Sequence, residues 1–189
     1  MAFISVQEII DIIAMTFAIG FIFSRYFHRK PTEGYDPLTY YQRSSLWGDI
    51  KYGAIIAAPG VVIHELAHKF VAMSFGATAT LHAPYSMYFI VILLMLIRFP
   101  FIFFVGGYVS HTPLPAIESS IVAVAGPFVN LLFYGVALLL IREKLVKKKY
   151  YEPLTLMGKL NLFLFAFNMI PIPGFDGFEF FRGLISSFF

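Results

Sequence analysis

The chain has 189 residues, of which 59% are hydrophobic and 13% are charged, and its formal net charge is +3. Soluble domains carry about 25% charged residues, so this composition excludes an ordinary water-soluble protein and predicts an integral membrane protein. The positive charge is concentrated in two loops, which favours a role in membrane topology over nucleic-acid binding. The loops contain Arg25, Arg29, Lys30, Arg43 and Lys51, and Arg142, Lys144, Lys147, Lys148 and Lys149.

Apolar segments alternate with polar connections along the whole chain. Apolar runs of about 20 residues can cross a hydrocarbon layer about 30 Å thick. The first segment has its basic residues after it, the reverse of a secretory signal, so we interpret it as a retained span. The pattern predicts an all-α, multi-pass bundle of about five to six transmembrane helices. The segments are 9–24, 52–75, 87–105, 117–141, 156–172 and a short sixth at 177–189.

The third apolar segment departs from the pattern of a simple spanning helix. It contains Arg98 and Pro100 and is followed by two glycines, features that suit a re-entrant or extended segment shielded by protein. The excess of Lys and Arg predicts that the basic loops 25–51 and 142–154 are both cytoplasmic. If both loops are cytoplasmic, the third apolar segment, 87–105, cannot cross the membrane completely. We therefore predict a re-entrant or extended segment around 76–116.

His64-Glu65-Leu66-Ala67-His68 lies inside the second apolar segment. On a helix the two histidines stand one turn apart on the same face, so both imidazoles can bind one ion with Glu65 beside them. This is the spacing of zinc metalloproteases, which need a third protein ligand and an open position for water. The alternative is that the histidines hydrogen-bond neighbouring helices and that Glu65 pairs with Lys69, although burying a glutamate in hydrocarbon without a role is costly.

The third metal ligand must come from another segment, and the chain has no cysteine to supply it. Asp176 is favoured because it lies in a predicted helix break near 168–177, where Pro171 and Pro173 lack a backbone N–H donor. Unwound backbone at membrane depth is tolerated only beside protein or a water-filled cavity. A surface turn is the alternative interpretation of this segment. The candidates by residue type are Glu8, Asp11, His82, His111, Glu118 and Asp176.

The depth of Asp176 in the membrane raises a geometric difficulty. A continuous helix from residue 156 would place Asp176 about 30 Å along its axis, past the depth of His64. We expect the helix either to start later or to break at Asn168 and fold back.

Three segments in order resemble the signatures of the site-2 protease family of intramembrane zinc metalloproteases. They are the His64 to His68 motif, "AGPFVN" at 125–130 and "NMIPIPGFDG" at 168–177. The resemblance implies that His64, His68 and Asp176 hold one catalytic Zn²⁺ and that Glu65 is the catalytic acid and base.

The resemblance also implies roles around the metal site. Asn168 would bind the substrate carbonyl, the developing oxyanion or the attacking water. Gly126 would let helices approach closely and Pro127 would bend a helix. Asn130 would either form an interhelical hydrogen bond that holds the bundle together or contact the substrate. The residues expected to contact the substrate or transition state, or to support the metal ligands, are Asn168, Asn130, Gly126, Pro127, Pro171 and Pro173.

The resemblance finally implies one transmembrane metalloprotease domain over 1–189, with a catalytic core at about 52–180 and no accessory domain. Its expected partners are the lipid bilayer and a transmembrane protein substrate, without nucleic acid. The segments "GATATLHAPYS" and "GGYVSHTP" are expected to offer an extended edge to an unwound substrate. A membrane metal-ion transporter and a non-catalytic metal-binding membrane protein are the alternative functions.

Overall fold

A computed structural model of the chain describes residues 3–27, 46–97 and 106–188. Arg98, Pro100 and most of the basic loop 25–51 lie outside the described residues. Within those residues the protein has six α-helices, one 3₁₀ turn and two short strands. In chain order they are α1 (Val6–Phe23), α2 (Leu46–Ser74), β1 (Ala79–His82), α3 (Tyr85–Leu96), β2 (Tyr108–His111), α4 (Ala116–Arg142), the 3₁₀ turn (Lys148–Tyr150), α5 (Tyr151–Asn168) and α6 (Asp176–Ser186).

Three of the described helices, α1, α2 and α4, are long and apolar enough to cross a membrane. The sequence predicts an all-α protein, and the described residues are mostly helical, with two short strands in addition. Helix α3 has 12 residues, which corresponds to about 18 Å and is shorter than the hydrocarbon layer. The total of five to six transmembrane helices and the cytoplasmic placement of the basic loops stay predictions.

The segment around 76–116 contains a small antiparallel sheet. Strand β1 pairs with β2, and the register places Ala79 opposite His111 and His82 opposite Tyr108. The sequence predicts that this segment is re-entrant or extended, and its described residues include extended strands. The two stretches expected to offer a strand edge are the ones that pair with each other.

The described residues fall into two compact units. One comprises Met1–Pro59 and Ala83–Gly106, and the other comprises Gly60–His82 and Gly107–Phe189. Helix α2 contributes to both units, because the division falls within it, directly after Pro59. The predicted single domain over 1–189 stays a prediction.

In the first unit, α1 packs closely against α2 at a pair of glycines. A Cβ atom on Gly20 would lie 2.7 Å from the Ile50 carbonyl oxygen and 2.8 Å from Ala54 Cβ. A Cβ atom on Gly53 would lie 2.7 Å from the Gly20 carbonyl oxygen. Small residues permit such close backbone approach between membrane helices, where dispersion contacts are a main source of attraction.

In the second unit, α6 packs against the beginning of α4. The Ser120 hydroxyl donates to the Phe180 carbonyl oxygen at 3.0 Å. A Cβ atom on Gly183 would lie 2.5 Å from the Ala116 carbonyl oxygen. These contacts hold α6 beside the helix that carries the "AGPFVN" motif.

The break predicted near 168–177 separates α5 from α6. Helix α5 ends at Asn168 and α6 begins at Asp176. The connection contains Gly174 with φ of +99°, a conformation that glycine adopts without a steric penalty. Gly177 lies directly against the Met169 backbone. Asp176 is therefore on a separate helix that packs against the end of α5, and α5 does not continue past Asn168.

The glycine contact between α1 and α2 predicts a loss of stability on adding one methyl group. Gly53→Ala should lower the free energy of unfolding by about 1–3 kcal/mol, because the methyl overlaps backbone atoms. Thermal unfolding in detergent measures the effect. Gly135→Ala in α4 is the matched control, since its Cβ atom meets no described atom within 4 Å. An unchanged melting temperature for Gly53→Ala would contradict the close packing.

Candidate metal centre

The three predicted metal ligands meet in the second unit. His64 and His68 lie one turn apart on α2 with their Nε2 atoms 3.0 Å from each other. The Asp176 Oδ2 atom, on the first residue of α6, lies 3.1 Å from His64 Nε2 and 3.4 Å from His68 Nε2. Both histidines are buried. A group of this composition and spacing could hold a metal ion.

The other ring nitrogen of each histidine faces a hydrogen-bond acceptor on α4. His68 Nδ1 lies 2.7 Å from the Val122 carbonyl oxygen, which can only accept, so Nδ1 carries the proton. His64 Nδ1 contacts Asn130 Oδ1, and the Asn130 amide nitrogen donates to the Gly60 carbonyl oxygen at 3.3 Å. With both Nδ1 atoms protonated, both neutral imidazoles direct the Nε2 lone pair into the site.

Three electron-pair donors therefore converge on one point. Asp176 Oδ2 is buried and has no hydrogen-bond donor among the described residues. While both imidazoles are neutral these atoms repel one another unless a cation lies among them, and burial weakens solvent screening of that repulsion. Tetrahedral Zn²⁺ with ligand distances of about 2.0–2.1 Å places its ligand atoms about 3.3–3.4 Å apart. The observed separations of 3.0–3.4 Å therefore fit a zinc ion.

Gly126 on α4 provides space at the same point. A Cβ atom there would lie 2.7 Å from His64 Nε2 and closer still to His68 Nε2. Any side chain at this position would occupy the volume beside the ligand nitrogens. Gly126 therefore lies directly against the imidazoles of His64 and His68. Pro127 is buried within the same helix.

Glu65 lies beside the three ligands and is buried. Its Oε1 atom accepts a hydrogen bond from the Gly107 backbone N–H at 3.2 Å. The carboxylate interacts electrostatically with His64, His68 and Asp176.

The remaining residues implied by the resemblance lie at the end of α5 and in the connection that follows. Asn168 is the last residue of α5 and is partly buried. Pro171 and Pro173 are exposed in the connection, where they prevent the helix from continuing. A substrate or transition-state role for Asn168 stays a prediction.

Two alternative ligand candidates, Glu8 and Asp11, make other contacts in the first unit. Glu8 and Ser5 form a capping box at the beginning of α1. Asp11 accepts a hydrogen bond from the Tyr85 hydroxyl on α3. These contacts account for two buried carboxylates in an apolar helix, because they provide hydrogen bonds for groups that are costly to bury unpaired.

The other three candidates are also placed elsewhere. His82 lies 2.8 Å from the Ser110 hydroxyl across the sheet, and His111 Nδ1 lies 2.9 Å from the Thr112 carbonyl oxygen. Glu118 is in the first turn of α4, where a negative charge interacts favourably with the helix dipole.

Two residues near the site were missed in the sequence analysis, one that contacts Asn130 and one that contacts Glu65. Asn161 on α5 is fully buried, and its signal was an amide inside the apolar stretch "LNLFLFAF". Gly107 supplies the N–H that binds Glu65. Its signal is the glycine pair that follows the third apolar segment.

A curated protein of Methanocaldococcus jannaschii is similar to this chain over most of its length. The two are 32% identical over 177 residues, which cover 92% of this chain and 82% of the relative. The relative is named "Putative zinc metalloprotease". No protein-family model and no solved structure matches the chain significantly.

Asp176, the third ligand of the candidate centre, should be required for metal binding. Loss of a group that only supports a ligand weakens metal binding by about 10- to 100-fold, so Asp176→Ala should exceed the upper end of that range. Metal analysis and chelator competition on the purified protein measure the change. Glu179→Ala is the control, because this carboxylate on the same helix pairs with Arg182 at the surface. Unchanged zinc stoichiometry in Asp176→Ala would exclude it as a ligand.

The space left by Gly126 should also be required for metal binding. The Ala methyl group in Gly126→Ala would overlap the ligand nitrogens, at a cost of about 1–3 kcal/mol, which corresponds to roughly 5- to 150-fold weaker zinc binding. Chelator competition measures the affinity, and Gly135→Ala on the same helix is the control. Wild-type affinity in Gly126→Ala would show that the ion does not use this space.

Proposed function

This chain belongs to a family of zinc metalloproteases, and from that premise we propose that it is an intramembrane protease of the site-2 type. Its reaction is hydrolysis of a peptide bond in or near a transmembrane segment of a membrane-protein substrate. The observation that carries the proposal is the position of His64, Glu65 and His68 in a helix that is long and apolar enough to span a membrane. Asp176 approaches these residues from a separate helix.

In this proposal His64, His68 and Asp176 hold one Zn²⁺. A zinc ion held by these residues would supply Lewis-acid chemistry, which polarises a carbonyl and lowers the pKa of a bound water. The ligand set supports zinc, because two imidazoles and one carboxylate leave the open coordination position that catalysis needs.

Glu65 is the group that moves the proton. Its Oε1 atom accepts from the Gly107 N–H, so we assign proton transfer to Oε2. Glu65 removes a proton from the attacking water as the new carbon–oxygen bond forms. It then delivers that proton to the amide nitrogen as the carbon–nitrogen bond breaks.

The substrate helix must unwind locally, because its amide and carbonyl groups are otherwise occupied by helical hydrogen bonds. We propose that the extended substrate pairs with an edge of the β1–β2 sheet. Strand β2 begins directly after Gly107, whose N–H binds Glu65. A substrate strand on this sheet would therefore run close to the proton-transfer group.

The membrane setting of the proposal rests on the three long apolar helices. We propose a multi-pass protein with the basic loops 25–51 and 142–154 in the cytoplasm, as the excess of Lys and Arg indicates. The proposed catalytic domain covers 1–189, with its core at about 52–180. Its partners are the bilayer and the transmembrane substrate.

The proposal predicts that Glu65→Gln retains zinc and loses proteolysis. Removal of the proton-transfer carboxylate should lower the cleavage rate by about 10²- to 10⁴-fold, while His64, His68 and Asp176 still bind the ion. Metal analysis is paired with cleavage of tagged single-span reporter proteins reconstituted with the enzyme in liposomes. Glu179→Gln is the control for loss of one carboxylate.

Three outcomes of this experiment would contradict the proposal. Cleavage retained by Glu65→Gln would exclude the assigned proton transfer. Cleavage of unfolded soluble casein without cleavage of any embedded reporter would indicate a metalloprotease that is not intramembrane. Zinc flux across proteoliposomes, without proteolysis of any reporter, would indicate a metal-ion transporter.

A further inference from the structure

Asn161 is the beginning of a hydrogen-bond chain that leads through Asn130 to His64. The Asn161 amide nitrogen donates to the Met157 carbonyl oxygen at 2.8 Å. Its Oδ1 atom accepts from the Asn130 amide nitrogen at 2.7 Å. Asn130 Oδ1 in turn faces His64 Nδ1. The chain connects α5 through α4 to the metal-binding face of α2.

The direction of every bond in this chain is set by backbone carbonyls. Met157 presents an oxygen that can only accept, so Asn161 must place its NH₂ group there and its oxygen towards Asn130. Asn130 must then place its own oxygen towards His64. His64 Nδ1 therefore carries the proton, and the lone pair is on Nε2, the atom beside Asp176.

Because both amides are buried, the direction of these hydrogen bonds is fixed energetically. Asn130 and Asn161 are both 0% exposed, so water does not compete for their hydrogen bonds. Reversing either amide would bring two donors or two acceptors together in a buried place, which is costly. The hydrogen-bonded series from Asn161 to His64 has one low-energy arrangement. In that arrangement the Nε2 lone pair of His64 is available to bind a cation.

The backbone of α2 is shaped to admit Asn161. A Cβ atom on Gly60 would lie 2.8 Å from the Asn161 amide nitrogen and 2.9 Å from its Cγ atom. The missing side chain at Gly60 lets the Asn161 amide reach the position where Asn130 is bound. Gly60 also supplies the carbonyl oxygen that accepts from Asn130.

We propose that Asn161 is a positioning residue, which sets the tautomer and orientation of His64 through Asn130 and thereby tunes metal affinity. The proposal rests on the metal centre of the proposed function and adds a residue outside the three signature motifs. Asn161 does not touch the ion or the substrate. A residue that served only to hold α5 and α4 together would affect stability without a selective effect on metal binding.

Zinc affinity of the purified full chain, measured by competition with a chromophoric chelator, tests the proposal without an activity assay. Asn130→Leu should weaken zinc binding by about 10- to 100-fold. Asn161→Leu should weaken it by about tenfold, a smaller effect because the Gly60 carbonyl still orients Asn130. Because Asn161 acts through Asn130, the double variant should bind zinc no more weakly than Asn130→Leu alone.

Two further variants separate positioning from packing. Asn161→Asp retains an oxygen that accepts from Asn130 in either protonation state, so its affinity should be closer to wild type than that of Asn161→Leu. Leu164→Ala removes a buried apolar side chain from the same helix. It should lower the melting temperature and leave zinc affinity unchanged. Asn161→Ala replaces Asn161→Leu if the latter cannot be purified, with the same expected loss.

Three results would overturn the proposal. They are wild-type affinity in Asn161→Leu, additive losses in the double variant, and no recovery in Asn161→Asp. Failure of the wild-type chain to bind zinc would instead refute the metal centre itself, so the two failures are distinguishable.

Discussion

The second unit is organised around the placement of three electron-rich atoms at one buried point. His64 Nε2, His68 Nε2 and Asp176 Oδ2 lie 3.0–3.4 Å from one another. With both imidazoles neutral these atoms repel one another unless a cation lies among them, and turning an imidazole would break the hydrogen bond from its Nδ1 to an acceptor on α4. The surrounding structure therefore keeps these atoms together in the arrangement that a bound cation requires.

Helices α2 and α4 share a spacing that builds this arrangement. Gly60, His64 and His68 are separated by four residues along α2, and so are Val122, Gly126 and Asn130 along α4. Residues four apart lie on the same helix face, about 6 Å further along the axis. The contacts pair these residues in opposite order, with Gly60 against Asn130, both histidines against Gly126, and His68 against Val122. One face of α4 thus supplies an orienting amide, an open space and an orienting carbonyl.

Much of the candidate site could be predicted from the sequence because its signals are local. The spacing of His64 and His68 depends only on helical periodicity, and the break before Asp176 depends on the prolines and glycines around it. The small sheet within 76–116 was anticipated only as an extended segment, since strand pairing depends on residues far apart in the chain. Glu8 and Asp11 were candidate metal ligands because they are carboxylates. Their hydrogen bonds with Ser5 and Tyr85 within the first unit are visible only in the structure.

The sequence by itself determined the apolar character of the chain and the helix that carries His64, Glu65 and His68, and it favoured Asp176, at the helix break near 168–177, among six candidate ligands. These features follow from hydrophobicity, periodicity and backbone chemistry, which act over a few residues. Only the tertiary structure decided that Asp176 reaches the histidines, that Gly126 leaves space beside them, and that Asn161 is connected to His64 through Asn130. Those relations depend on how α2, α4, α5 and α6 pack, and distances between helices remote in the chain are set by packing, which no local pattern encodes.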